Sequence, residues 1–265
     1  MIYNDYPLFS NVKRIVNSDD YNFSELHDNK KIKYICKDNI DPGLSKEIYG
    51  KVFSNGDIYV IEFHYDQNIS DISLWLESIF GPLLTYKNRG LKEYETIKPV
   101  DNPKWFFESN LSQPVHTDEG HEEKQPNIVA LYCQNPSYEG GDSILVDSDA
   151  VYNFIFEKYG KKSDILFHDE CLSHFSNNKF FQKRIFLKIS NNIGISFSPL
   201  LNKFKCTEDV YSMLMDISAF IHQKENQYRL RLSKNQCIVF SNYLYLHSRT
   251  KFPKDSPRTL FRFWF

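Results

Sequence analysis

The stretch PVHTD at residues 114–118 is the most informative part of the sequence. Side chains two residues apart in a β-strand point to the same face. His116 and Asp118 can therefore reach one point in space. One imidazole and one carboxylate are two of the three ligands of a facial metal site. The alternative is that Asp118 only orients His116, and the pair alone does not separate the two interpretations.

A second histidine-bearing stretch, NYLYLHSRT, covers residues 242–250. His247 follows apolar residues that predict a strand, and it lies 129 residues beyond Asp118 in the chain. It can supply the third ligand of the facial site. An isolated histidine of this kind is otherwise an ordinary core or surface residue.

The third stretch, RTLFRFWF at residues 258–265, predicts a strand with two different faces. One face carries Arg258, Leu260, Arg262 and Trp264, and the other carries Thr259, Phe261, Phe263 and Phe265. Burying two arginines on one face is costly unless an anion meets them, and the planar guanidinium suits a carboxylate. The alternative is a strand with a solvated basic face.

The composition excludes several classes of protein. The 265 residues are 41% hydrophobic and 25% charged, which excludes a disordered or collagen-like chain. The aromatic content of 16% favours strands and a bulky core. The net charge of −2 gives no basic field, so we expect no nucleic-acid partner. We find no signal peptide or membrane span, and five scattered cysteines predict reduced thiols in a cytoplasmic protein.

The periodicity along the chain predicts many short strands and few helices. Strands are predicted at residues 58–63, 128–133, 143–146, 228–232, 237–240 and 258–265, with two more in 183–198. Helices are predicted from the Ser70 cap to Phe80, over residues 150–159 after Ser148, and over 208–224 after Thr207. Residues 88–103 read as a loop. The pattern predicts a mainly β protein with flanking helices (α+β), as one domain over 1–265, in which 1–55 form an N-terminal extension packed on a barrel.

Together these stretches resemble the iron(II)- and 2-oxoglutarate-dependent oxygenases of the taurine dioxygenase and clavaminate synthase-like superfamily. The family pattern is HxD or HxE, a GG-D/E-T/S turn, N-x-x-x-x-H-x-R-T-x-F and R-x-L-x-R. The matching residues, in the family's order and spacing, are His116, Asp118, Gly140, Gly141, Asp142, Ser143, Asn242, His247, Arg249, Thr250, Phe252, Arg258, Leu260 and Arg262. The resemblance covers about residues 58–265. Ser143 stands where threonine is more usual, and it keeps the hydroxyl.

The resemblance implies a fold and a chemistry. The fold is a double-stranded β-helix, or jelly roll, of the clavaminate synthase-like type. His116, Asp118 and His247 would hold Fe(II), and Arg258 with Ser143 would bind the distal carboxylate of the co-substrate 2-oxoglutarate. With O2, such an enzyme hydroxylates an unactivated C–H bond and releases succinate and CO2. Because related halogenases lack the carboxylate ligand, Asp118 favours hydroxylation; desaturation and cyclisation remain open.

The substrate is less well determined. The acidic stretch EGHEE, residues 119–123, follows the metal motif, so Glu119 is a candidate for binding an ammonium or guanidinium group; a solvated acidic loop is the alternative. In the taurine enzyme the equivalent of Arg262 holds the substrate's acid group, although in several relatives this position is structural. Asn110 is a candidate substrate contact or a loop cap. We therefore expect a small amine or amino acid, and the narrower hypothesis is a basic, lysine- or arginine-like one.

Other functions stay open at this point. The same chemistry could act on an amino acid tethered to a carrier protein or on a protein side chain. A cupin-like enzyme would use the metal without 2-oxoglutarate and would not need Arg258. A non-catalytic jelly-roll binding protein would not need the complete set of ligands. The sequence predicts no membrane partner and does not predict the oligomeric state.

Overall fold

The computed structural model describes residues 2–4, 31–85, 93–176, 179–198 and 203–265. Its helices are α1 (Pro42–Phe53), α2 (Ile69–Phe80), α3 (Ser148–Tyr159) and α4 (Glu208–Ile221). Its strands are β1 (Ile2–Asn4), β2 (Ile32–Cys36), β3 (Ile58–Glu62), β4 (Glu95–Ile97), β5 (Ile128–Asn135), β6 (Ser143–Asp147), β7 (Leu172–Ser176), β8 (Lys179–Lys183), β9 (Phe186–Ile189), β10 (Asn192–Ile195), β11 (Lys203–Lys205), β12 (Tyr228–Leu230), β13 (Gln236–Ser241), β14 (Tyr245–Arg249) and β15 (Thr259–Trp264).

The larger sheet has six strands in the order β2-β3-β13-β5-β15-β4. Strand β15 lies between β5 and β4, and Arg262 is opposite Leu131 on one side and Glu95 on the other. All pairs are antiparallel except β2 with β3, which are parallel. The last predicted strand of the chain is therefore an inner strand of this sheet.

A three-stranded sheet in the order β12-β6-β14, called the smaller sheet, packs across the interior from the six-stranded sheet. The remaining strands form a four-stranded sheet, β1-β11-β7-β8, and a two-stranded sheet, β10-β9. A backbone bridge between His116 and His247 adds the 114–118 stretch beside β14. One hydrophobic cluster fills the space between the sheets, with Leu145 and Tyr245 from the smaller sheet and Val129 and Ile238 from the larger one. Two facing sheets around one interior form the predicted jelly roll.

The helices cover the outer faces of the two sheets. Residues of α1 and α2 pack against the larger sheet, and residues of α3 and α4 pack against the smaller sheet. Helix α1 starts at Pro42, where the Asp41 side chain accepts a 2.8 Å hydrogen bond from Leu44 N. The two predicted faces of β15 are confirmed. Leu260 and Trp264 lie in the interior cluster, whereas Phe263 belongs to the outer cluster.

Several local predictions are wrong. Residues 95–97, predicted as loop, form β4, which pairs with β15. Helix α2 is capped by Asn68 rather than Ser70, and α3 by Asp147 rather than Ser148. Helix α4 ends at Ile221, three residues before the predicted end. His247 does not follow a strand but lies within β14, with its backbone bonded to His116.

The described part of the predicted extension, within residues 1–55, contributes a strand and a helix to the fold. Strand β2 extends the larger sheet, and α1 contributes Ile48 and Val52 to the core outside that sheet. Residues 5–30 of the extension lie outside the described part, and the single domain over 1–265 stays a prediction. In the described part no helix has the length and apolar character needed to cross a membrane.

Candidate metal centre

His116, Asp118 and His247 converge on one point between the two sheets. The His116 and His247 backbones exchange hydrogen bonds of 3.0 and 2.7 Å, which places their rings 4.5 Å apart. Oδ1 of Asp118 lies 3.5 Å from Nε2 of His116 and 3.6 Å from Nε2 of His247. One ligand atom from each residue lies within 4.8 Å of the other two. The structure therefore brings together the three predicted ligands.

The two histidine rings of the cluster have different surroundings. Nδ1 of His116 lies 2.7 Å from Pro114 O. Because a carbonyl only accepts, Nδ1 donates in this contact, and the ring presents its Nε2 side to Asp118 and His247. Burial lowers the pKa of His247 to about 4, so this ring is neutral at pH 7. Neutral imidazoles are the form that ligates metal.

The Asp118 carboxylate is held from the larger sheet. Arg262 Nη1 donates a 2.7 Å hydrogen bond to Oδ1, and Trp264 Nε1 donates a 2.7 Å bond to Oδ2. Burial alone would raise the pKa of Asp118, but the positive charge of Arg262, together with hydrogen bonding to the two histidines, holds that pKa well below its usual range. The carboxylate is therefore ionised and fixed in direction.

The backbone around Asp118 is fixed by Asn242. Asn242 Oδ1 accepts a 2.8 Å bond from Asp118 N, and its Nδ2 donates to Asp118 O at 2.9 Å and to Pro126 O at 3.0 Å. This fully buried amide explains the asparagine five residues before His247. The sequence pattern contained Asn242 but did not indicate this role.

The Arg262 guanidinium also contacts a second carboxylate and two aromatic rings. Its Nη2 is paired with Glu95, and its guanidinium stacks 4.4 Å from the Trp264 ring centroid and 5.6 Å from that of Phe107. Both ends of the guanidinium thus face protein carboxylates. Of the two roles weighed for Arg262, this geometry favours the structural one, and its contact with substrate stays a prediction.

Arg258 and Ser143 line the same small cavity beside the Gly140-Gly141 turn. Arg258 Nη2 donates to Gly141 O at 3.2 Å, while its buried Nη1 has no hydrogen-bond partner in the described structure. Burial lowers the pKa of Arg258 to about 10, which still leaves it charged at pH 7. A buried cation with an unused donor next to a hydroxyl fits a carboxylate ligand.

Arg249 adds positive charge to this region. Its Nη2 donates to Ser109 O and Leu111 O at 2.9 and 2.6 Å, but its buried Nε and Nη1 have no partner in the described structure. Burial and the charge of Arg258 lower the pKa of Arg249. Both guanidiniums lie about 5 Å from the Phe252 ring centroid. An anion here would relieve their mutual repulsion.

The turn that supports Arg258 is itself tightly specified. Gly141 has φ of +70°, and a Cβ there would lie 2.7 Å from Arg258 Nε. The adjacent Asp142 carboxylate is buried between Arg229 and Arg231. Asp142 therefore ties the turn to the β12 side of the smaller sheet.

The candidate substrate residues are placed differently from one another. Glu119 directly follows Asp118, is 9% exposed, and has a φ of +53° that is unusual for a residue with a side chain. Its Oε2 lies 4.0 Å from His121 Nε2. Glu123 is exposed, so the solvated alternative holds for that end of the acidic stretch. Asn110 Nδ2 donates to Phe252 O at 3.0 Å, which is the loop-capping alternative.

Sequence reasoning missed the roles of three residues of this site. Glu95 lay in a predicted loop, and Arg249 was noted without a function. Trp264 was placed on the same face of its strand as Arg262, but its bond to Asp118 was not predicted. Two facing sheets that hold two imidazoles, one fixed carboxylate and buried arginines are typical of a jelly-roll protein that binds a metal and an anion.

Residues 93–264 match the model of the family described as "Taurine catabolism dioxygenase TauD, TfdA family". This match covers more than half of the chain, so the protein belongs to that dioxygenase family. The sequence-based assignment to this superfamily is confirmed.

Solved structures show the same fold. An asparagine oxygenase in complex with Fe(II), 2S,3S-3-hydroxyasparagine and succinate matches with a TM-score of 0.68 at 14% identity, over 84% of this chain and 79% of that one. The non-heme iron oxygenase OrfP in complex with Fe and alpha-ketoglutaric acid matches with a TM-score of 0.62 at 11% identity, over 84% and 79%. The same oxygenase in complex with Fe and L-canavanine also gives 0.62, at 11% identity over 84% and 79%.

Proposed function

We propose that this protein is an Fe(II)- and 2-oxoglutarate-dependent dioxygenase that hydroxylates a small amino acid or amine. The reaction converts substrate, 2-oxoglutarate and O2 into hydroxylated substrate, succinate and CO2. The observation that carries the proposal is the convergence of His116, Asp118 and His247 within 4.8 Å inside the jelly roll. Two structural neighbours, the asparagine oxygenase and OrfP, are described with iron and amino-acid ligands or products.

The donor set fits the proposed metal. Two neutral imidazoles and one carboxylate are the facial set of non-heme Fe(II) oxygenases, which leaves positions for the co-substrate and O2. When bound, Fe(II) and 2-oxoglutarate supply the activation of O2 and the removal of hydrogen from carbon. In this proposal the protein orients the ligands: Trp264 and Arg262 fix the Asp118 carboxylate, and Pro114 fixes the His116 ring.

The buried arginine fits the proposed co-substrate. Arg258 binds the distal carboxylate of 2-oxoglutarate through its unused Nη1, and Ser143 donates a hydrogen bond. This distinguishes the proposal from a cupin-like enzyme, because such an enzyme has no need of a buried guanidinium there. The completeness of the set also disfavours a non-catalytic binding protein.

For the substrate we propose a free amino acid with a cationic group, held by Glu119. The support is its burial, its left-handed backbone and its position next to Asp118. We propose that Asn110 acts on the substrate only through the loop it caps. The five cysteines are all free, which supports the proposal of a reducing, cytoplasmic environment.

The test is an amino-acid panel with anaerobically iron-loaded protein. Free amino acids and simple amines are supplied with 2-oxoglutarate and O2, and succinate and a product heavier by one oxygen atom are measured. We expect a cationic amino acid to stimulate succinate formation, and Asp118→Ala to abolish it. Asp101→Asn, a change at an exposed surface carboxylate, is the matched control and should keep activity.

The other outcomes identify the alternatives. Turnover only with a carrier-bound amino acid or a peptide would replace the free substrate and keep the chemistry. Turnover without 2-oxoglutarate would support the hypothesis of a cupin-like enzyme. No 2-oxoglutarate consumption with any substrate, in protein shown to hold iron, would overturn the proposed function.

A further inference from the structure

Three potential ligands meet at one end of the β2-β3 strand pair. Cys36 is the last residue of β2 and pairs in register with Glu62, the last residue of β3. Because the two strands are parallel, the residues that follow both ends emerge at the same edge of the sheet. His64 comes two residues after β3, and the 3₁₀ turn over Lys37–Asn39 returns Asp38 toward it.

The side-chain atoms of these residues face one another. Cys36 Sγ lies 2.8 Å from His64 Nε2, and His64 Nε2 lies 3.7 Å from Asp38 Oδ2. The three atoms lie within 4.8 Å of one another. The cluster uses none of the residues placed in the His116, Asp118 and His247 centre.

We propose that Cys36, Asp38 and His64 form a second metal site, for a borderline divalent transition-metal ion such as Zn2+. Thiolate, imidazole and carboxylate are the three donor types that Zn2+ takes from proteins. The thiolate makes this site softer than the nitrogen and oxygen set of His116, Asp118 and His247, so the two sites prefer different ions.

The distances allow an ion to replace the present contact. Zn–S and Zn–N bonds of about 2.3 and 2.0 Å, at a tetrahedral angle, put sulfur and nitrogen about 3.5 Å apart. Cys36 Sγ and His64 Nε2 must therefore separate by less than 1 Å. His64 and Asp38 are more than half exposed, so their side chains have room for this movement. Binding releases the thiol proton of Cys36 to solvent. Cys36 Sγ and His64 Nε2 then each bond to the metal ion and no longer contact each other directly.

Three protein ligands leave one position of a tetrahedral ion open. Since the cluster is at the surface, water can fill this position. The ion would join the end of the edge strand β2 to the segment after β3. The expected consequence is tighter attachment of β2 to the sheet, with no direct part in the oxygenase reaction.

The test uses Co2+ as a spectroscopic substitute for Zn2+. A thiolate bonded to Co2+ gives a ligand-to-metal charge-transfer absorption in the near ultraviolet, whereas the His116, Asp118 and His247 centre has no sulfur. We expect wild-type protein, titrated with Co2+ under reducing conditions, to show this band, and added Zn2+ to remove it. Cys36→Ser should lose the band. His64→Gln removes a ligand, so Co2+ should bind this cluster more weakly by at least the roughly tenfold that loss of a ligand's hydrogen-bond partner costs.

Matched variants make the result specific. Cys206→Ser changes another cysteine outside the cluster and should keep the band. Iron-dependent succinate formation should be unchanged in Cys36→Ser, because Cys36 is not part of the proposed oxygenase machinery. Absence of the band in wild-type protein at saturating Co2+, or its persistence in Cys36→Ser, would overturn the proposal. Neither result bears on the proposed oxygenase function.

Discussion

The indole Nε1 of Trp264 donates a 2.7 Å hydrogen bond to Oδ2 of Asp118, and this joins the larger sheet to the candidate metal centre. Trp264→Phe keeps a ring of similar shape and removes the donor. Since partners of metal ligands commonly contribute 10–100-fold to metal affinity, we expect Fe(II) to bind about tenfold more weakly. Anaerobic titration calorimetry measures this, and Trp105→Phe at an exposed tryptophan is the control. Equal affinities of Trp264→Phe and wild type would show that the indole does not tune the centre.

Removing the Arg258 guanidinium should affect 2-oxoglutarate specifically. Arg258→Gln leaves the ligands of the metal in place and removes the buried positive charge, so the Kd for 2-oxoglutarate should rise by about 100-fold. Ser143→Ala removes one neutral hydrogen bond and should cost about fivefold. Both Kd values are measured on protein loaded with a redox-inert metal. Arg184→Gln, at an exposed ion pair, should change neither value, and a normal Kd in Arg258→Gln would place the co-substrate elsewhere.

A side chain at Gly141 should disturb the same pocket. The φ of +70° and the 2.7 Å approach to Arg258 Nε mean that Gly141→Ala is strained and displaces the guanidinium. We expect a loss of about 2 kcal/mol in unfolding free energy together with weaker 2-oxoglutarate binding. Gly50→Ala provides the contrast, because it lies in α1 with open space around it and should stabilise the protein by about 0.5–1 kcal/mol. Denaturant titration of both variants measures these changes in unfolding free energy.

His222 makes the protein sensitive to acid. Its Nε2 accepts a bond from Val115 N, and burial lowers the pKa of His222 to about 4. A histidine with a depressed folded-state pKa stabilises the protein above its unfolded pKa of about 6.5, and this stability is lost as the pH falls toward 4. Between pH 7.5 and pH 5 the unfolding free energy should fall by about 2 kcal/mol more in wild type than in His222→Gln. Parallel denaturant curves for the two proteins at both pH values test this; identical pH dependence would contradict it.

Glu119 should set the charge preference for the substrate. Glu119→Gln keeps the size and removes the negative charge, so kcat/KM for a cationic amino acid should fall by about tenfold or more, with less change for a neutral analogue. Substrate-independent decarboxylation of 2-oxoglutarate should be retained, because the metal and co-substrate residues are unchanged. Glu123→Gln, in the exposed part of the same stretch, is the matched control. Equal losses for cationic and neutral substrates would argue against charge recognition.

The sequence indicated the parts of the site that depend on strand alternation and on spacing. Alternation placed Arg262 and Trp264 on the inner face of β15, and the motif order identified His116, Asp118 and His247. The same reasoning could not find Glu95, because a three-residue strand has no usable periodicity. It also could not decide between the two roles of Arg262, since the choice depends on carboxylates brought together only by folding.

The residues at which helices and strands begin and end were less predictable than the presence of those helices and strands. Ser70 and Ser148 are good capping residues by type, but Asn68 and Asp147 occupy the caps, because where each helix begins depends on the chain that precedes it. The role of β2 was missed for a related reason: its pairing with β3 is a tertiary contact, and residues 32–36 show exposed as well as partly buried positions. Such a mixed pattern carries little information at the edge of a sheet.

The bridge between His116 and His247 and the bonds from Arg262 and Trp264 have a thermodynamic consequence. An ion bound to Asp118 would connect residues supported by both sheets, and the unfolded chain offers no such arrangement. Mass action then links the melting temperature of the protein to the free metal concentration, with about 2.7 kcal/mol of added stability at one hundred times the Kd. In a cell short of iron, the protein would lack this added stability and would unfold at a lower temperature.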